Sequence, residues 1–135
     1  MLFFQGNGAE NCIDGITNNT TMCHSLCNTS APWLALKFPG PVKVKRVDMY
    51  NLGDHLASRL RNVEVRLTDE LPTSGDQMYT GGQLLGTFAG PGTNGQIVKV
   101  EGTARTGRYV LIQMNNRDCL HQRWKNVWIL GIYPC

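Results

Sequence analysis

The sequence has no long apolar run, and nothing in it approaches the roughly 20 residues that a membrane-spanning helix requires. It also lacks a helical apolar period of useful length, internal repeats and low-complexity tracts. Charge is sparse: 17% of residues are Asp, Glu, Lys or Arg, and the net charge is +3. A balance so small and so scattered argues against a nucleic-acid binder. The one denser stretch, Lys43-Val-Lys45-Arg46, alternates with Val42, Val44 and Val47 and reads as the solvated face of a strand. Cysteine is missing from the whole middle of the chain, between Cys27 and Cys119.

What is present is enough for one domain. A chain of 135 residues with 41% apolar content buries about two-thirds of its unfolded surface around a single core. Residues 1–8, opening Met-Leu-Phe-Phe-Gln-Gly, are too short and too uncharged for a signal peptide and read as a tail or a cloning scar. Residues 9–135 read as the domain itself. Seven short runs of alternating character cross it, at 33–38, 42–50, 62–67, 83–88, 97–100, 108–114 and 127–133. The first stops at Pro39-Gly40-Pro41, and Gly81-Gly82, Gly90-Pro91-Gly92 and Asn94-Gly95 separate later ones. Such runs with explicit turn chemistry predict an all-β antiparallel sandwich or barrel. The long polar connections 14–32, 51–61 and 115–126 are the candidate functional loops.

Five cysteines, Cys12, Cys23, Cys27, Cys119 and Cys135, sit near the two ends of the chain. Bridges between them would tie the first loops to the last strands, and the long loop so closed is worth about 4 kcal/mol in chain entropy. Cys119 is expected to pair with Cys23 or Cys27, although two bridges among five cysteines admit many pairings. Asn18, Asn19 and Asn28 each open an N-x-S/T glycosylation acceptor. Together with the cysteines they predict a secreted, extracellular glycoprotein.

Several of these segments carry a resemblance. Asn11-Cys-Ile-Asp-Gly15 resembles the N-A-I/V-D-G opening of discoidin domains (coagulation factor 5/8 type C) and of their relatives, the F-type fucose-binding lectins. Ala31-Pro-Trp-Leu-Ala-Leu36 is similar to the P-W-W-x-V-D-L strand that follows it. Val44-Lys-Arg-Val-Asp-Met-Tyr-Asn51 and Arg59-Leu-Arg-Asn-Val-Glu-Val-Arg66 resemble the strands entering and leaving the lectin motif N-R-G-D-C-C-G-E-R. Thr106-Gly-Arg-Tyr-Val-Leu-Ile112 resembles the G-R-Y-V strand, and Asn126-Val-Trp-Ile-Leu-Gly131 the closing E-V-x-V-x-G. No one of these is diagnostic, but six in order from about residue 9 to 132 form a strong signal. The resemblance implies a jelly-roll-like sandwich that binds its ligand through loops at one end. It also implies that Cys135 is the family's terminal cysteine, whose usual partner lies in a first strand that is largely missing here.

The resemblance implies two sites. The first is a calcium loop, to which Asn11 and Asp14 would contribute, with Asn126 where the family has a carboxylate. Calcium takes six to eight oxygens and its affinity follows carboxylate count, so an amide there weakens the site. An Asx-turn at Asp14-Gly15 without metal is the alternative. The second is a sugar pocket, built in the lectins from one His and two Arg. Of the motif, Arg59 retains the second arginine, Leu52 replaces the first, and His55-Leu56 replace the cysteine pair. The upstream histidine maps to Asn28 or Thr29, and nearby His24 precedes Cys27 instead of following it. The fucose triad is therefore broken.

Asp54, His55 and Arg59, with His24 or Thr29, could bracket a different sugar, because hydroxyls need both donors and acceptors. Arg59 could equally pair with Asp54 across the loop, and His55 could be a plain exposed histidine. Trp124 beside His121 and Lys125 is a candidate stacking platform. A Cys23–His24 nucleophile and a zinc site from Cys23, Cys27, His24 and His121 are both poorly supported by spacing. An enzyme such as a glycosidase needs a carboxylate pair about 5–9.5 Å apart, and Asp54 has no acidic partner in its loop. The sequence thus predicts a non-enzymatic, lectin-like domain that binds a glycan or glycoconjugate, with low-affinity calcium and room for an oligomer. The rival is an adhesion module in which Leu52 and Leu56 meet a phospholipid membrane or a protein.

Overall fold

In the computed structural model the described residues are 2–4, 6–7, 23–25, 30–51, 57–115, 123–130 and 133–134, with side chains described over 30–51 and 57–115. The strands are β1 (Leu2–Phe4), β2 (Gly6–Asn7), β3 (Cys23–Ser25), β4 (Trp33–Asn51), β5 (Val63–Thr68), β6 (Gln83–Phe88), β7 (Ile97–Met114), β8 (Arg123–Leu130) and β9 (Tyr133–Pro134). All described pairings are antiparallel. Hydrogen bonds link the strands in the order β2-β3-β8-β4-β7-β5-β6, with β1 and β9 also on β4. The helical element among the described residues is a single 3-10 turn, Ala57–Arg59.

One continuous ladder becomes two layers because β4 and β7 both bend. The first half of β4 pairs with the second half of β7, from Trp33↔Gln113 to Lys37↔Tyr109. The ladder then skips to Val42↔Gly107, so four residues of β4 oppose one of β7. Pro39 and Pro41 lie in that gap, where neither can donate to a ladder. A second shift separates Val44↔Arg105 from Arg46↔Glu101. Bulges of this kind re-aim a strand and carry it from one layer to the other. In sequence, Pro39 reads as the end of one strand and 97–100 as a strand apart from 108–114. The prolines do not stop the strand; they turn its corner.

Alternation decides what fills the space between layers. Leu34 and Leu36 of the first half of β4, Val44, Val47 and Met49 of the second, Val63, Val65 and Leu67 of β5, and Val98, Val110 and Ile112 of β7 share one buried core. Each such side chain contributes about 1.5–3 kcal/mol by leaving water. The opposite parity faces out. Lys43 and Lys45 are exposed beside buried Val42 and Val44, while Arg46 pairs with the nearly buried Asp48 at 2.9 Å.

The outer face of the first layer is covered as well. Trp33, Ala35 and Leu111 pack there against Leu71, Tyr79 and Tyr109. The connection 69–82 is clamped onto that face by buried Gln113. Its Oε1 accepts from the Tyr79 N–H at 2.8 Å, and its Nε2 donates to the carbonyls of Ala31 at 2.9 Å and Gln77 at 3.1 Å.

Candidate functional site

The corners of β4 and β7 lie at one end of the sandwich, and the other end is closed by a chain of backbone hydrogen bonds. The Met114 N–H donates to Pro32 O at 3.0 Å, Asn115 to Asn62 O at 2.9 Å, and Asn62 to Ala89 O at 3.0 Å. Gly92 donates to Leu60 O at 2.8 Å, and Asn51 to Gln96 O at 2.9 Å. Both ends of β4, the 3-10 turn, the 89–96 loop and the start of the 115–122 connection therefore share one rim.

The rim is fixed from inside. Asn51 is 2% exposed, and its Nδ2 donates to Ala57 O at 2.9 Å and Thr93 O at 3.0 Å. Leu60, at the exit of the turn, is sunk in the core. The 93–96 turn is held by its own bonds: Thr93 N–H donates to Gln96 Oε1 at 2.9 Å, and Gln96 N–H to Thr93 O at 3.2 Å. Gly95 in that turn has a φ of 64°, the left-handed region that glycine enters freely.

Of the residues expected to contact ligand, Arg59 ends the 3-10 turn on this rim and is half-buried. His24 lies on β3 opposite Arg123, and Asn126 lies on β8 opposite Tyr50. Trp124 of β8 pairs with Cys23 on one side and with Asn51 on the other. β8 thus places the backbone of His24 two strands from Asn51, where the Arg59 loop begins. Asp54, His55, Thr29, Asn11 and Asp14 lie outside the described residues, as do Leu52, Leu56, Cys119 and His121. Among the described residues no group of three or more His, Cys, Asp and Glu could hold a metal. The calcium set inferred from sequence has one carboxylate, Asp14, and two neutral amides, which makes it a poor match for a tight site.

Sequence reasoning did not find Asn51, which stood as the first residue of a polar loop. Its burial depends on partners 6 and 42 residues away. The connection 115–126 was expected to be loop throughout, but its last four residues, 123–126, begin β8.

A family model for the NedA-like, galactose-binding domain of the factor 5/8 type C group matches residues 11–112. The chain belongs to that family. No curated protein matched the sequence. Among solved structures, this galactose-binding-like domain is similar to an f-lectin (fucolectin) from the serum of striped bass, Morone saxatilis, with a TM-score of 0.75 and 22% identity. That match covers 94% of this chain but 43% of the bass protein. The lectin domain of lectinolysin, solved with Lewis B antigen, gives 0.73 and 20%, covering 96% of this chain and 91% of that one. Chitosan-binding module 1 of a chitosanase/glucanase from Paenibacillus sp. IK-5 gives 0.70 and 19%, covering 97% and 94%. At these identities the likeness shows the fold. The family match takes in β3 to most of β7, and so includes the 3-10 turn and both loops that Asn51 ties together.

Proposed function

We propose that this galactose-binding-like domain binds a glycan outside the cell through the rim, without chemistry on it. The observation that carries the proposal is the placement of Arg59: half-buried, on a turn whose first residue is bonded to Asn51 and whose exit is anchored by Leu60. A guanidinium held on a rigid base presents a fork of donors to neighbouring hydroxyls at little entropic cost. Asp54 would supply acceptors, and His55, His24 and Thr29 the remaining donor or acceptor positions. Similarity to a fucolectin, to a lectin domain solved with Lewis B antigen and to a chitosan-binding module supports a sugar as the ligand. The sequons and cysteines near the chain ends support secretion.

The test is a glycan array probed with wild type and with Arg59→Ala, each with and without EDTA. Loss of a charged donor at a hydroxyl pair is expected to weaken binding by about tenfold or more. An unchanged array for the variant would remove Arg59 from the site. An empty array for the wild type would remove the glycan.

A further inference from the structure

We infer that the outer side of the rim carries a second sugar subsite, and that the domain therefore reads a neutral oligosaccharide rather than one terminal sugar; the inference rests on the glycan reading above. The subsite is a hollow of about 280 Å³ framed by Asn62, Glu64, Thr87, Phe88, Asn115 and Met78. Small-molecule pockets begin at about 300 Å³, so this one has room for a single ring.

Strand register builds it. Val63 pairs with Met114 on one side and with Phe88 on the other, so the neighbouring residues 62, 89 and 115 converge at the rim. Glu64 and Thr87 are register partners and share the outer face, opposite the parity of buried Val63 and Val65. Asn62 has a φ of 52°, a left-handed conformation that asparagine tolerates better than most residues. Three bonds hold it there: its N–H to Ala89 O, its carbonyl from Asn115 N–H, and its Nδ2 to Asn115 O at 3.3 Å. Strained, over-determined backbone of this kind concentrates at ligand sites.

The chemistry facing the hollow fits a pyranose. Met78 gives the hollow an apolar edge for a ring's C–H face, while Phe88, the register partner of buried Val63, packs against the core at its base. Among the described residues nothing bonds to Asn62 Oδ1, to the Asn115 side-chain amide or to the Thr87 hydroxyl. These groups donate and accept, as sugar hydroxyls do. Glu64 adds acceptors and is steadied by Arg66 Nε at 3.4 Å. Neither Lys nor Arg lines the hollow, so it offers no cation to hold a phosphate, a sulfated sugar or a sialylated one. Asn62 follows Arg59 by three residues, which keeps their Cα atoms within about 11 Å. Linked sugar units can bridge that separation from the rim to the hollow.

The test is an array displaying each terminal sugar alone, as a disaccharide and as longer chains, with solution titration of the best series. Wild type is expected to gain about five- to tenfold from the shortest to the longest member. Asn115→Ala and Asn62→Gly are each expected to lose that gain, whereas Arg59→Ala weakens every length. Glycine keeps the left-handed turn, so Asn62→Gly preserves the backbone, which an unchanged thermal melt confirms. Length-independent binding by wild type, or a gain that survives both asparagine variants, overturns the subsite and leaves the glycan reading intact. Absence of binding to any glycan overturns both.

Discussion

Asn51 and Ala57 are joined by a buried hydrogen bond of 2.9 Å from Nδ2 to the carbonyl, which closes the base of the loop between them. A second bond from the same nitrogen, to Thr93 O, ties that loop to its neighbour. One amide thus fixes the spacing of two rim segments. Each carbonyl keeps one other partner, the N–H of Leu60 or of Gln96. Asn51→Ala is therefore expected to cost about 1–2 kcal/mol, short of a fully orphaned pair. Urea denaturation measures the loss. Binding should fall with it, because Arg59 would sit on a looser turn; wild-type stability in Asn51→Ala would show that the amide holds nothing.

Gly92 and Gly95 lie three residues apart but should respond differently to alanine. A Cβ on Gly92 would stand 2.5 Å from Asn51 Nδ2 and 3.0 Å from Ala57 O, displacing the amide that fixes the rim. Gly95 has open space around it and only its positive φ to resist substitution. Gly95→Ala should cost about 1–2 kcal/mol, the penalty of left-handed backbone. Gly92→Ala should cost more, and it alone should reduce glycan binding. Paired thermal melts and titrations separate the two; equal effects would mean that packing at Asn51 is not tight.

The fold was largely legible because alternation is a local signal. Val63, Val65 and Leu67 declare a buried face within one short segment, and all three are in the core. The corner was harder to read. Pro39 and Pro41 look like a strand's end unless the partner strand is known to bend with them. The rim was harder still. Asn51, Gln113 and Asn62 are ordinary polar residues in sequence, and their partners lie up to 82 residues away. Gln113 was readable only as a residue within an expected strand; its grip on the 69–82 connection depends on a fold that brings Ala31, Gln77 and Tyr79 together. Arg59 is a candidate through its match to the second lectin arginine, His24 only through its nearness to the upstream histidine's position, and of the two only Arg59 has a described side chain.

A disulfide from Cys119 to Cys23 or Cys27 is the expected covalent link across the rim. The pairing of Cys23 with Trp124 supports it, since it places β3 beside a strand that begins four residues after Cys119. Peptide mapping of protein from a secretory host under non-reducing conditions should recover the bridged pair. Recovery of Cys23 and Cys27 both as free thiols would exclude it. If the bridge is present, reduction should cost about 2–5 kcal/mol, typical of a native disulfide in a small secreted domain.

Calcium is expected to bind weakly if the loop at Asn11 and Asp14 uses Asn126 as its closing donor. β8 holds Asn126 opposite Tyr50, so the position is set by a paired strand and a change of side chain there alters donor charge more than backbone. Ligand binding stabilises by RT ln(1 + [L]/Kd), about 1.4 kcal/mol at a tenfold excess over Kd. For a domain of this length that is a rise in Tm of roughly 3–6 °C. Wild type should show the rise only in millimolar calcium, because a single carboxylate leaves most of the ion's charge to neutral oxygens. Asn126→Glu adds the second carboxylate and should bring the same rise at about tenfold lower calcium or less. A wild-type shift that saturates at micromolar calcium would mean that other oxygens complete the site. A variant no more responsive than wild type would mean that residue 126 does not face the ion.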